Sequence, residues 1–171
     1  MKLFLITLVF MAQTYASLFE INTFEADFIQ SITDEKNKVL RYTGHIIASK
    51  PKSATWQYLS PIEKNIYIHN FEATIVEPEI EQVIIRRIES EFDFFQMIKI
   101  AKEIDKNSFL TVYNNTNYTI KINNGLIESI SFLDQFENKV KIKFSNQKQN
   151  HTIDKNVFIP NYPMDFDIVN D

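Results

Sequence analysis

The chain has 171 residues, 44% hydrophobic and 23% charged, with 15 Phe but only 2 Gly and 5 Pro. That is the make-up of one globular domain with much apolar surface to bury, and it excludes a linker-like or disordered chain. A formal net charge of −4 offers no Lys/Arg excess for phosphate neutralisation, so nucleic acid is not expected as a partner. With no cysteine, disulfides, thiol chemistry, cysteine metal sites and lipidation on an N-terminal cysteine all fall away.

In chain order, Lys2 precedes the apolar stretch Leu3–Met11, too short to span a bilayer, and Thr14 and Ala16 supply small residues at a cleavage site. This pattern predicts a signal peptide over residues 1–16 and one exported domain over 17–171. A short helix is expected at Ser17–Asn22. Phe24, Ala26, Phe28, Gln30 and Ile32 then alternate with Thr23, Glu25, Asp27, Ile29 and Ser31, the period of a half-buried strand. Asp34–Asn37 reads as a turn, and Val39–Ser49 returns as a second strand through Tyr42, Gly44 and Ile46. Ala54, Trp56 and Tyr58 share one face of a third strand, with Thr55 and Gln57 opposite and Pro51 and Pro61 at its ends. Strands at Asn65–His69, Ala73–Glu77 and Glu81–Ile88 complete a six-strand meander.

The period changes at Ser90, a candidate cap with Asp93 three residues on, and Phe92, Phe95 and Ile98 recur at helical spacing. The expected helix is Phe92–Ala101, its apolar stripe widened by Phe94 and Met97. Strands resume at Phe109–Tyr113, Tyr118–Ile122, Leu126–Leu133 and Lys139–Phe144, joined by turns at Asn114–Asn117 and Asn123-Asn124-Gly125. Val140, Ile142 and Phe144 alternate with Lys139, Lys141 and Lys143, which sets an inside and an outside. The last segment, Val157–Val169, is broken by Pro160 and Pro163. Sequons at Asn114, Asn117 and Asn150 read as turn residues. The elements add up to a mainly β chain of the α+β kind, a single, strongly curved, mostly antiparallel sheet with one internal helix.

Such a sheet either fills its interior with side chains or leaves room for an apolar ligand. Phe24, Phe28, Trp56, Tyr58, Ile130, Phe132 and Phe144 are large inward candidates, and the Phe/Met-rich helix interrupts the strands where a lid would sit. Catalytic groupings are not evident. His45, His69 and His151 are scattered without metal-ligand spacing, and no nucleophile elbow, zinc-protease, P-loop or dinucleotide motif is present. The acidic pairs Glu79/Glu81 and Asp165/Asp167 read as solvated faces of strands. No enzyme activity, metal or cofactor is expected.

The motif Phe24-x-Ala26-x-Phe28-x-Gln30 closely resembles the opening strand of the LolA family of outer-membrane lipoprotein carrier proteins. Tyr42-x-Gly44, Pro51 ahead of Trp56-x-Tyr58 and Pro61, Pro78-x-Ile80-Glu81-Gln82, and the ending Pro163-Met164-Asp165-Phe166-Asp167-Ile168-Val169 follow that family's order. The resemblance implies an incomplete β-barrel of about eleven antiparallel strands with a short helical lid. It also implies a monomeric periplasmic chaperone that takes triacylated lipoproteins from an inner-membrane lipoprotein-releasing ABC transporter to an outer-membrane lipoprotein acceptor. Its acyl cavity would be lined by Phe24, Phe28, Trp56, Tyr58, Ile130, Phe132 and Phe144, with Phe92, Phe95 and Ile98 from the lid. The acceptor of the same fold needs an N-terminal cysteine, which this chain lacks. The alternative is a periplasmic lipoprotein- or lipid-sensing regulatory module of this fold. Two positions depart from the pattern. Asp165 stands where glycine is usual, and Lys50 stands where many members carry an arginine tying barrel to lid, so Lys50 is the expected lid-closure residue.

Overall fold

The computed structural model describes residues 20–88 and 93–170. The expected signal peptide, the first half of the expected Ser17–Asn22 helix, and Ser90 and Phe92 lie outside them. The strands in chain order are β1 (Thr23–Thr33), β2 (Val39–Ser49), β3 (Ser53–Ser60), β4 (Lys64–His69), β5 (Glu72–Glu77) and β6 (Gln82–Arg87). After helix α1 (Phe94–Lys99) come β7 (Lys102–Asp105), β8 (Ser108–Tyr113), β9 (Thr116–Asn123), β10 (Leu126–Leu133), β11 (Lys139–Gln149) and β12 (Asp167–Asn170). They form one sheet in the order β12-β6-β5-β4-β3-β2-β1-β11-β10-β9-β8-β7. β1 therefore stands inside the sheet, paired on one side with β2 and on the other with β11. Two meanders run outward from it, and the sheet ends at β12 and β7 without closing.

The first meander follows its expected outline, with β2 matching Val39–Ser49 and the others within a residue or two at each end. Four features differ. The sheet has twelve strands, because β7 was not anticipated. All four of its residues are exposed, so no burial period marks it. β11 continues past Phe144 to Gln149. β12 runs parallel to β6, the one parallel pair among the described residues of a mostly antiparallel sheet, because residues 150–166 cross the outer face of the sheet before pairing. Glu79 and Glu81 share no strand face: Pro78–Ile80 is a 3-10 turn and Glu81 closes it in the left-handed region at φ 52°.

Helix α1 is shorter than expected, and its cap is Asp93, whose carboxylate accepts from Gln96 N at 2.9 Å. Phe94, Phe95, Met97 and Ile98 are all buried on the concave side of the sheet. With only two glycines available, the tight turns use asparagine, the non-glycine residue that best tolerates positive φ. Asn114 and Asn115 (φ 47° and 59°) turn β8 into β9, and Asn124 and Gly125 (φ 51° and 78°) turn β9 into β10. Asp165 is not among the positive-φ residues. The turn it occupies, closed by Phe166 N donating to Pro163 O at 3.4 Å, does without the family's glycine.

Gly44 is required for a different reason. It faces Phe28 across the β1–β2 ladder, and a Cβ there would sit 2.5 Å from Phe28 Cζ and 2.1 Å from the Gln57 carbonyl oxygen. The missing side chain lets the Phe28 ring lie over the neighbouring strand and meet Trp56 and Tyr58, each with ring centroids 5.2 Å away. Gly44→Ala is expected to destabilise the domain by about 1–3 kcal/mol, the usual cost of overpacking. Urea unfolding would show a lower midpoint at unchanged slope. Gly125→Asn, at a position with open space around it, should shift the midpoint by less.

Candidate functional site

Side-chain alternation carries the apolar residues of every long strand to the concave face. From β1 come Phe24, Ala26 and Phe28, from β2 Ile46 and Ala48, from β3 Ala54 and Trp56, and from β10 and β11 Ile130, Val140 and Ile142, all buried in one cluster. Aromatic rings link across it. Phe24 meets Phe144 edge-on at 5.3 Å and Phe94 at 4.9 Å, Phe94 meets Phe95 at 5.4 Å, and Tyr58 meets Tyr42 at 5.7 Å. Such contacts contribute roughly 0.5–1.5 kcal/mol each beyond burial. They make a packed floor on one side of the interior.

The rest of the interior is hollow. A cavity of about 560 Å³ opens between a wall of Trp56, Tyr58, Ile66, Ile68, Ala73 and Ile75 and a facing wall of Tyr118, Ile130, Phe132 and Ile142. Phe94 from α1 borders it, and Gln30, Arg86, Arg87 and Ile88 complete the lining. Tyr58 OH donates to Gln30 Oε1 at 2.9 Å. Burial, with Tyr42 beside it, pushes the Tyr58 phenol up to about 12, so it stays neutral. Desolvation likewise raises Tyr118.

Of the residues expected at an acyl cavity, Trp56, Tyr58, Ile130 and Phe132 stand on these walls. Phe24, Phe28, Phe95, Ile98 and Phe144 belong to the packed cluster beside them. Phe92 lies outside the described residues. Ile66, Ile68, Ala73 and Ile75, whose inward face the short alternations in β4 and β5 signal, join the walls without having been expected there, as does Tyr118 of β9, while Ile142 adds to them from the inward face of β11. Lys50 is exposed. Its Nζ donates to Asn22 Oδ1 at 3.1 Å and sits 5.8 Å from the Phe95 ring centroid, on the α1 side.

The outer face is polar, and here the histidines are less scattered than expected. Glu25 accepts from Lys148 Nζ at 3.1 Å and lies 2.7 Å from His151 Nε2 and 3.6 Å from His45 Nε2. His45 Nδ1 is 2.7 Å from Asp27, which also accepts from Asn146 Nδ2 at 2.7 Å. Thr23 Oγ1 donates to His151 O and Thr55 Oγ1 to Val157 O, so residues 150–158 are fastened across the outside of β1 and β3. No group of three or more His, Cys, Asp or Glu side chains that could hold a metal ion occurs among the described residues.

An unclosed, mostly antiparallel sheet around a largely apolar hollow, with most of its polar groups turned outward, defines a binding protein for apolar chains. The family described as outer membrane lipoprotein carrier protein LolA matches residues 20–108. An outer-membrane lipoprotein carrier protein of Campylobacter jejuni is 42% identical over 168 residues, covering 98% of each chain. One of Helicobacter pylori is 34% identical over 166 residues, covering 91% of this chain and 89% of the relative. Among solved structures, a LolA superfamily protein from Nitrosomonas europaea superposes with a TM-score of 0.54 at 10% identity, over 85% of this chain and 94% of the other. At that identity the superposition supports the fold alone. The chain belongs to the LolA family.

The Glu25 cluster generates a prediction about acid. Burial by itself raises the Glu25 carboxyl, but bonds from Lys148 and His151 outweigh it and hold the group below its ordinary value. Bonds from Asn146 and His45 do the same for Asp27. A carboxylate with a depressed folded-state pKa contributes stability above its unfolded pKa and loses it as pH falls through the folded value. Stability should therefore hold from neutrality to about pH 5 and fall below about pH 4. Glu25→Gln/Asp27→Asn should be less stable at pH 7 and show a shallower acid loss. Thermal unfolding midpoints across pH 3–7 check both signs.

Proposed function

We propose that the chain is a periplasmic lipoprotein carrier, a chaperone and not an enzyme, that shields acyl chains in the hollow of its sheet. One observation carries the reading: an apolar cavity of about 560 Å³ left open in the interior of a LolA-family chain that has apolar side chains enough to fill it. Each methylene exposed to water costs on the order of 0.8 kcal/mol, and such a hollow offsets that cost during a crossing. Relatives named outer-membrane lipoprotein carrier proteins support lipoproteins as the cargo. In this reading residues 1–16 are a cleaved export signal and residues 17–171 the carrier domain. An inner-membrane lipoprotein-releasing transporter loads it, and an outer-membrane acceptor empties it.

The cavity is the size of a drug-like ligand site, room for one long acyl chain and not three. A triacylated cargo therefore requires the interior to widen, and α1 is the element that moves. Phe24, Phe28, Phe144, Phe95 and Ile98 give way at the floor and lid while Trp56, Tyr58, Ile130 and Phe132 meet the chains. Trp56 emission should shift on binding of a triacylated lipoprotein, and lipoproteins should be found by mass spectrometry on the protein purified from the periplasm. Unchanged emission at saturating cargo, with no lipoprotein recovered, rejects the reading.

Lys50 closes the lid weakly in this reading. As a single point donor already bonded to Asn22, it holds Phe95 of α1 only through the face of the ring. An arginine fork could keep that contact and reach further acceptors. Lys50→Arg should slow transfer of bound lipoprotein to acceptor by about tenfold, the worth of one added charge-assisted bond at about 1.4 kcal/mol. Equal transfer rates would show that the apolar face of α1 alone keeps the lid shut.

A further inference from the structure

Acyl chains held in ester or amide linkage carry no charge, yet the lining of the hollow includes two arginines, Arg86 and Arg87. Strand alternation in β6 puts Arg86 on the same side as Ile84, facing inward beside Ile75 and Ala73 of β5. Its cross-strand neighbour is the buried Ala73, which is small and offers no counter-charge. Arg87 pairs in register with Glu72 at the end of the strand. Among the described residues no ion pair engages either arginine, and the cavity lining contains no Asp or Glu. Arg86 is exposed, so its charge stands at the mouth of the apolar hollow, where the head of a ligand with its tail inside would lie. The guanidinium fork matches carboxylate and phosphate oxygens in pairs.

We propose that the hollow contains a headgroup subsite, in which Arg86 holds the anionic head of a single-chain lipid. The head is a carboxylate or a phosphate, and the tail lies along Trp56, Ile130 and Phe132. This rests on the reading of the hollow as an acyl-chain site and adds a ligand class to it: free fatty acids or single-chain phospholipids, in addition to neutral acyl anchors. The cavity volume suits such a ligand without any widening. Arg86 sets the preference, because it shares the cavity side of β6 with Ile84, whereas Arg87 pairs with Glu72 and is directed to the other face.

The test is a titration of Trp56 emission with dodecanoate, dodecyl phosphate, methyl dodecanoate and inorganic phosphate, on wild type, Arg86→Gln and Arg86→Gln/Arg87→Gln. Both arginines are exposed, and circular dichroism confirms that the variants fold. In wild type at least one of the two anionic amphiphiles should bind about tenfold more tightly than the neutral ester. The stronger of the two identifies a fatty-acid or a phospholipid source. Inorganic phosphate alone should bind far more weakly, lacking the tail. Arg86→Gln should remove the anion advantage over methyl dodecanoate, and adding Arg87→Gln should change that ratio little further; an advantage lost only in the double variant overturns the assignment to Arg86. Ester and anions binding equally in wild type, or an anion advantage that survives the double variant, overturns the headgroup subsite and leaves the acyl site standing. Binding of none of the tailed ligands overturns both.

Discussion

The rest of the structure depends on the sheet never closing. A barrel sealed by hydrogen bonds would hold its interior at one size, but here β12 and β7 end the sheet without meeting. What covers the interior is α1, a helix of six residues. A helix that short has no stability of its own in water. It persists because Asp93 caps it and because four apolar side chains find a place among the strands. Lifting it therefore breaks no strand ladder. The cost is the burial of Phe94, Phe95, Met97 and Ile98, a term that an arriving acyl chain can replace with contacts of the same kind. In the proposed carrier, closure and cargo would compete for one apolar surface, which is the simplest way to make binding and opening the same event.

The two faces of the sheet divide the chemistry. Inside, the polar groups are few: Gln30 and Tyr58 satisfy each other, and the Tyr58 phenol stays neutral. Outside, Glu25 and Asp27 gather His45, His151, Lys148 and Asn146 and so fix the path of residues 150–158. The chain's response to acid is thus an affair of the convex surface, where the crossing segment is attached, while the apolar walls carry no group that titrates near neutrality. The arginines at the end of β6 are the exception to this division, as charge placed where the rest of the lining is neutral.

Much of this was readable from the residues, and the reasons are particular. β1, β2 and β3 pack one face on the cluster and turn the other to solvent or to the crossing segment, so their alternation is plain, and Phe28 opposite Gly44 is a pair whose sizes fit only one register. β7 escaped because Lys-Glu-Ile-Asp is exposed on both faces and no period survives. The start of α1 was misplaced because Ser90 and Asp93 are both competent caps, and local sequence does not choose between them. The parallel pairing of β12 is set by where the crossing segment is anchored, through Glu25 and Thr55, long-range contacts that no local pattern encodes. The hollow itself was unreadable: a large inward side chain looks the same whether it meets another side chain or empty space. Phe24 and Phe132 share a type and a face, but one is fully buried in the floor and the other stands on the cavity wall.

The place of β1 in the sheet has a consequence for how the chain reaches its fold. Its partners are β2, only a turn away, and β11, which begins at Lys139, most of the chain later. The entropy of closing so long a loop must be met before that ladder returns any stabilisation, and topologies rich in such distant pairings fold slowly. Until β11 is made, β1 shows an open hydrogen-bonding edge, and Phe24 and Phe28 lie against half a floor. A nascent chain in that condition is exposed to aggregation, and it is also a chain that can still be threaded through a narrow pore. The protein that escorts others thus begins as a polypeptide in need of an escort.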